Sequence, residues 1–188
     1  MNPDAPDNIN SDLPSGEFIY EDNKTMLLFV VLAIAIAFCA DAIFDLIWKG
    51  KPVPLNLDVP SWVKYMSVLL AIVIHELIHG LFFAIYAENG FRAVRFGFSR
   101  TMFSPYCHCK DPVRVKHYRR AGIAPTLILG ILPLAFALAT GVNWIKTFGI
   151  LLTIGGLGDV LVWVKLFRFN GNLMVRDHPD KMGFIIDK

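Results

Sequence analysis

His75-Glu76-Leu77-Ile78-His79 is the stretch of this 188-residue sequence whose residue types and spacing suit chemistry. Histidines four apart stand about one helical turn apart on one face, so both imidazoles can reach a single divalent ion. Glu76 lies beside the first of them, within reach of a water on that ion. Zinc held this way lowers the pKa of its water, and a neighbouring carboxylate takes the proton and passes it to a leaving group. The motif is embedded in a nearly unbroken apolar run from Trp62 to Ala87. Ionisable side chains are costly in a membrane-length helix unless something uses them. The plainer use of the same residues is a polar patch that joins helices by hydrogen bonds.

Asp159 is the candidate third ligand. It is the one acidic residue in the last apolar stretch, Trp144 to Phe167. It stands eight residues before Phe167, as His79 stands eight before Ala87, so spans ending at one surface place the two at nearly equal depth. Packing, or hydrogen bonding to a ligand, is the alternative for Asp159. Asp41 and Asp45, four apart, share a helix face, where they mark the membrane interface or, facing inward, gate water or touch a substrate. Cys107-His108-Cys109 reads as loop packing, since three adjacent side chains cannot converge on one metal from a regular strand and no second cysteine pair completes a structural site. His178 reaches the metal only if the C-terminal tail folds back.

The elements that must position these residues are apolar. Hydrophobic residues make up 55% of the chain, and the mean hydropathy is +0.50, outside the soluble globular range. Four spans follow, at about 25–48, 62–87, 121–140 and 144–167. The first lacks the basic start and small-residue cleavage site of a signal peptide and reads as retained. Pro52, Pro54 and Pro60 stiffen the connection to the second span. Pro125 frees the carbonyl near Ala121 and bends the third. Gly155, Gly156 and Gly158 predict close approach of another backbone to the fourth. Between the second and third spans, residues 91–98 read as a strand able to pair with 100–106.

The expected fold is an all-α membrane protein of four transmembrane helices with a small β-hairpin between helices two and three. Residues 1–24 read as a flexible acidic tail, with a short helix possible over 14–23, and 25–188 as one membrane-embedded domain whose end, 168–188, lies at the surface with a short strand at its end. Three cysteines give no disulfide framework. No basic stretch carries the spaced aromatics of a nucleic-acid surface. Residues 49–64 and 141–146 hold four of the 18 lysines and arginines, so the positive-inside rule puts both termini and the basic loop 88–120 in the cytoplasm. That loop suits acidic lipid headgroups, and a hairpin edge beside the metal suits an extended peptide.

HELIH at 75–79, AGIAP at 121–125, GGLGD at 155–159 and DHPDKMGF at 177–184 together resemble the site-2 protease family of intramembrane zinc metalloproteases. They are still more similar to a group of small bacterial membrane zincin peptidases. The resemblance spans about residues 62–184. It implies a zinc metallopeptidase of the bacterial cytoplasmic membrane acting on membrane-associated proteins or peptides. His75, His79 and Asp159 would be its ligands and Glu76 its catalytic base, with a membrane-associated hairpin at 91–106. Gly158 and Val160 flank the aspartate where the better-known proteases have leucine or proline before it and glycine after, and no sensing domain accompanies the core. A non-catalytic zinc-binding membrane protein in a structural or accessory role is the rival reading.

Overall fold

The computed structural model describes residues 17–19, 23–55, 57–99, 104–178 and 183–187. A short strand, β1 (Glu17–Ile19), precedes two long helices, α1 (Asn23–Trp48) and α2 (Ser61–Tyr86). At about 1.5 Å per residue, 26 residues reach about 39 Å, enough to cross a hydrocarbon core of about 30 Å. Pro60 starts α2 from an extended conformation, with ψ 146°. The chain then forms strands β2 (Val94–Ser99), β3 (Ser104–Cys109) and β4 (Val113–Arg114).

The third long helix runs from Val115 to Thr140 without a break but changes its winding. It begins as α3 (Val115–Pro125), passes through a π-helical segment at Thr126–Ile131, and continues as α4 (Leu132–Thr140). Proline has no N–H to donate, which removes one rung of the helical ladder. After it the register is looser, the Leu132 N–H going to the Leu127 carbonyl five residues back. Gly141, at φ +77°, closes α4 in the left-handed conformation that glycine adopts without strain. The Trp48 ring packs against it, and the indole N–H donates to the Leu138 carbonyl at 2.9 Å.

Next come α5 (Asn143–Gly155) and α6 (Leu157–Leu166), bent by 49° where they meet. Among the described residues, three helices are thus long and apolar enough to cross a membrane, and four if the bent pair is one span. Large apolar side chains along them, such as Leu27, Phe38, Leu46, Trp62 and Leu70, face outward. A continuous apolar exterior of this kind is a liability in water and the expected surface in lipid, so the fold is consistent with a membrane protein.

The chain ends in β5 (Met174–Asp177) and β6 (Gly183–Asp187), and here the structure departs from the sequence reading. The fold is mostly helical with a strand pair between the second and third long helices, but its strands are not confined to that pair. A four-stranded antiparallel sheet, ordered β1-β6-β5-β4, joins the two ends of the chain to the start of α3. Residues 17–19 form a strand rather than part of a helix, because Phe18 stacks on Phe184 and meets Phe169 edge-on. Three residues are too few to show a periodicity. The second sheet pairs β2 with β3 in a register that sets Phe96 against Cys107 and Ser99 against Ser104. Cys107-His108-Cys109 is therefore strand and not loop, and pairing runs over 94–99 and 104–109 instead of 91–98 and 100–106. Residues 100–103 lie outside the described ones.

Burial concentrates where α2 ends, α3 begins and α6 ends. Phe83, Val113, Val115, Leu166, Val175 and Phe184 form its centre. The four-stranded sheet closes this core from below, and the β2–β3 pair lies across α2 beside it. Gly80 makes that contact possible, since a Cβ there would run into the Phe96 ring and Val94.

Candidate active site

His75 and His79 project from adjacent turns of α2 with ring centroids 4.9 Å apart and planes at 74°. Both Nε2 atoms turn toward one carboxylate oxygen, Asp159 Oδ2 in the first turn of α6, at 2.9 Å from His75 and 3.4 Å from His79. The three candidate ligand atoms lie within 4.8 Å of one another. Bonds of about 2.0–2.2 Å at tetrahedral angles separate ligand atoms by about 3.4 Å, so this donor set fits zinc in both chemistry and spacing. No cysteine or further carboxylate joins the cluster among the described residues.

The second nitrogen of His79 is also placed. Nδ1 lies 2.9 Å from the Ala121 backbone carbonyl. A carbonyl only accepts, so Nδ1 carries the proton and Nε2 of the neutral ring keeps its lone pair for a metal. Phe83, one turn further along α2, stacks on the same ring.

Asp159 is held in place by a tight helix crossing. Gly149 stands against the Leu134 backbone, Gly130 against Thr153, and Gly156 against Thr126. Of the three glycines in 155–158, only Gly156 has a neighbour that a Cβ would strike. Gly155 and Gly158 face open space, so the expected close approach belongs to one residue of the motif.

Glu76 sits beside the cluster, close to the Cys107 backbone in β3. The strand pair thereby borders the site on the side of the general-base candidate. Its thiols are inert. Burial, with Asp177 nearby, pushes Cys109 up to about 12 and raises Cys107 as well.

The remaining candidates fall elsewhere. Asp41 pairs with buried Lys146 at 2.5 Å, linking α1 to α5, and Asp45 is exposed. His178 is buried in the terminal segment, outside the three-residue cluster. His108 faces Asp177 at 3.6 Å. Two groups that the sequence reading missed frame the site from below. Tyr118, packed on Phe83, donates its hydroxyl to Asp177, which also takes the Cys109 N–H at 2.7 Å. Nothing in their spacing signals this, because Tyr118 and Asp177 are 59 residues apart.

Residues 68–174 match the model of a protein family described as "putative zincin peptidase". The chain belongs to this family. The matched region covers more than half of the sequence and contains both histidines, Glu76, Pro125 and Asp159. Membership classes the protein as a zinc metallopeptidase. No match was found among curated proteins or among solved structures.

Proposed function

We propose that this zincin-family protein is an intramembrane metalloprotease that hydrolyses peptide bonds of membrane-associated substrates, with zinc held by His75, His79 and Asp159 and Glu76 as general base. The observation that carries the reading is the convergence of two Nε2 atoms and one Oδ2, from helices 84 residues apart, beside a glutamate. Bound there, zinc would polarise a carbonyl and lower the pKa of a water. Glu76 accepts the proton of the attacking water and delivers it to the leaving nitrogen. His75 and Asp159 retain side-chain exposures of 13% and 26%, which leave one flank of the cluster approachable.

Three protein ligands and an approachable flank are the pattern of a catalytic site, whereas structural zinc sites close with four. This favours hydrolysis over the rival accessory role. The bent α5–α6 pair makes the fourth span, and the excess of basic residues in the 88–120 segment favours a cytoplasmic position for it and for both termini. Lipid is the natural partner of the exposed apolar helix faces.

The test is Glu76→Gln in purified, zinc-loaded protein offered a panel of membrane-protein and peptide substrates. Zinc stoichiometry stays at the wild-type value and kcat/KM falls by about 10²–10⁴-fold. Equal cleavage by wild type and variant refutes the role of Glu76. Zinc binding without cleavage of any substrate by the wild type supports the accessory role instead.

A further inference from the structure

We infer that Pro125 is a positioning residue for the metal site, acting by leaving the Ala121 carbonyl free to fix His79. This rests on the ligand assignment proposed above and extends it to a residue that touches neither metal nor substrate.

In an α-helix the carbonyl of residue 121 accepts the N–H of residue 125. Position 125 is proline and has no N–H to give. The next amide, that of Thr126, goes to Ile123 instead. The Ala121 carbonyl, in a residue with no exposed surface, would then be a buried acceptor without its helical partner, a costly state. Its partner is the imidazole of His79, 42 residues earlier, whose Nδ1–H it receives at 2.9 Å. Missing donor and incoming donor match one to one.

The consequence for the site is specific. Metal-binding histidines are oriented by the hydrogen bond of their other ring nitrogen, and loss of such a partner typically costs about 10–100-fold in metal affinity. Here that partner is a main-chain carbonyl, which no side-chain substitution can remove directly. Pro125 controls its availability from one turn away. A residue with an N–H at 125 would compete for the carbonyl, weaken the hold on Nδ1, and allow the ring to rotate or to adopt the tautomer with the proton on Nε2.

The proline ring also shapes the backbone, so the test must separate the absent N–H from the ring. Cell-free translation with a chemically charged suppressor tRNA can place the ester analogue of alanine at 125, which has alanine's side chain but no N–H. Zinc affinity is then measured by chelator competition for wild type, Pro125→Ala and the ester variant, with helix content and gel-filtration profile as checks on folding. Pro125→Ala is expected to bind zinc about 10–100-fold more weakly, and the ester to stay within about threefold of wild type. Wild-type affinity in folded Pro125→Ala overturns the inference. An ester variant that loses as much as alanine also overturns it, because ring geometry would then be the cause. If the alanine variant does not fold, the ester decides alone by the same criterion. A wild type that binds no zinc refutes the ligand assignment and is read separately.

Discussion

Gly156→Ala tests how the fold sets Asp159, the proposed third ligand. Gly156 has φ −84° and ψ 7°, a conformation open to any residue, so the substitution adds no backbone strain and its effect is steric. An added Cβ would strike Thr126 Oγ1 and lie 3.0 Å from both Cβ and Cγ2 of that residue. Rotating Thr126 gives no relief, because its Cβ stays in contact in every rotamer. Thr126 is also buried, at 2% exposure, and cannot swing outward.

Overpacking of this kind costs about 1–3 kcal/mol. The elbow can relieve it only by moving away from the π-helical segment, and Asp159 lies less than one turn beyond the elbow. Zinc ligands tolerate displacements of about 0.2 Å, so the cost is expected to appear in metal affinity. If the site bears all of it, affinity falls by about 5- to 150-fold. Chelator competition on wild type, Gly156→Ala, Thr126→Ala and the double variant forms a cycle. Thr126→Ala removes two of the three clashing atoms and gives up only a long hydrogen bond of 3.4 Å to the Gly156 carbonyl, so it alone should change little. In the double variant most of the loss should return, as a coupling of at least about 0.5 kcal/mol. Additive effects, or full affinity in Gly156→Ala, would show that the elbow does not set the position of Asp159.

Three further outcomes follow from groups around the site. The Cys109 thiol, held protonated up to about 12 by burial and by Asp177, should resist iodoacetamide at pH 8 in the folded protein and react after denaturation, as followed by mass spectrometry; its raised value also means a stability contribution that is lost as pH climbs from about 9 through 12. Asp177 is pushed above the ordinary carboxylate range, chiefly by burial, so its protonated form favours folding at low pH and that contribution is lost as pH rises through the raised value. Chemical unfolding of zinc-free protein in detergent should therefore show a smaller loss from pH 4 to pH 7 in Asp177→Asn than in wild type, and a larger one would contradict the assigned direction. Asp41→Ala strips buried Lys146 of its 2.5 Å partner, leaving the Phe44 ring at 4.7 Å, and should cost about 1 kcal/mol after allowance for the exposure of Asp41, with unchanged zinc affinity. Asp45→Ala should be silent in both measurements.

The chemistry of the site is more legible in the sequence than the frame that holds it. Four-residue spacing makes the pairing of His75 with His79 a property of any helix. Asp159 can be placed beside them because apolar spans have a fixed thickness, so counting from span ends measures depth. Pro125 signals a free carbonyl four residues earlier, but nothing in the sequence says which donor takes it. The glycine run predicts close packing without telling Gly156 from Gly155 and Gly158, a distinction made by which face meets Thr126. The terminal sheet is hidden for another reason. Val113–Arg114 and Glu17–Ile19 are too short for any period to register, and the strands owe their existence to tertiary contacts.

That hidden sheet changes how the polar end of the chain contributes. Residues 168–188 read as a polar surface segment with a short strand at its end, yet its described part holds together the two helices whose relative position matters most. The Val115 N–H donates to Leu173 and the Lys116 N–H to Gly171, which fixes the start of α3 to the chain leaving α6. Arg119 forks onto the carbonyls of Leu166 and Phe169, capping the last turn of α6 with a positive charge where the helix dipole favours one. Asp177 then reaches back to Tyr118 on α3 and to Cys109 on β3, the strand whose Cys107 backbone lies beside Glu76. Among the groups that meet the site from outside α2 are the Ala121 carbonyl on α3, Asp159 on α6 and the Cys107 backbone on β3. All three elements are tied to one another by this terminal segment. In lipid, where helices gain little from burying apolar faces against each other, such polar ties outside the apolar spans are the means available to hold the proposed metal site to within a fraction of an ångström.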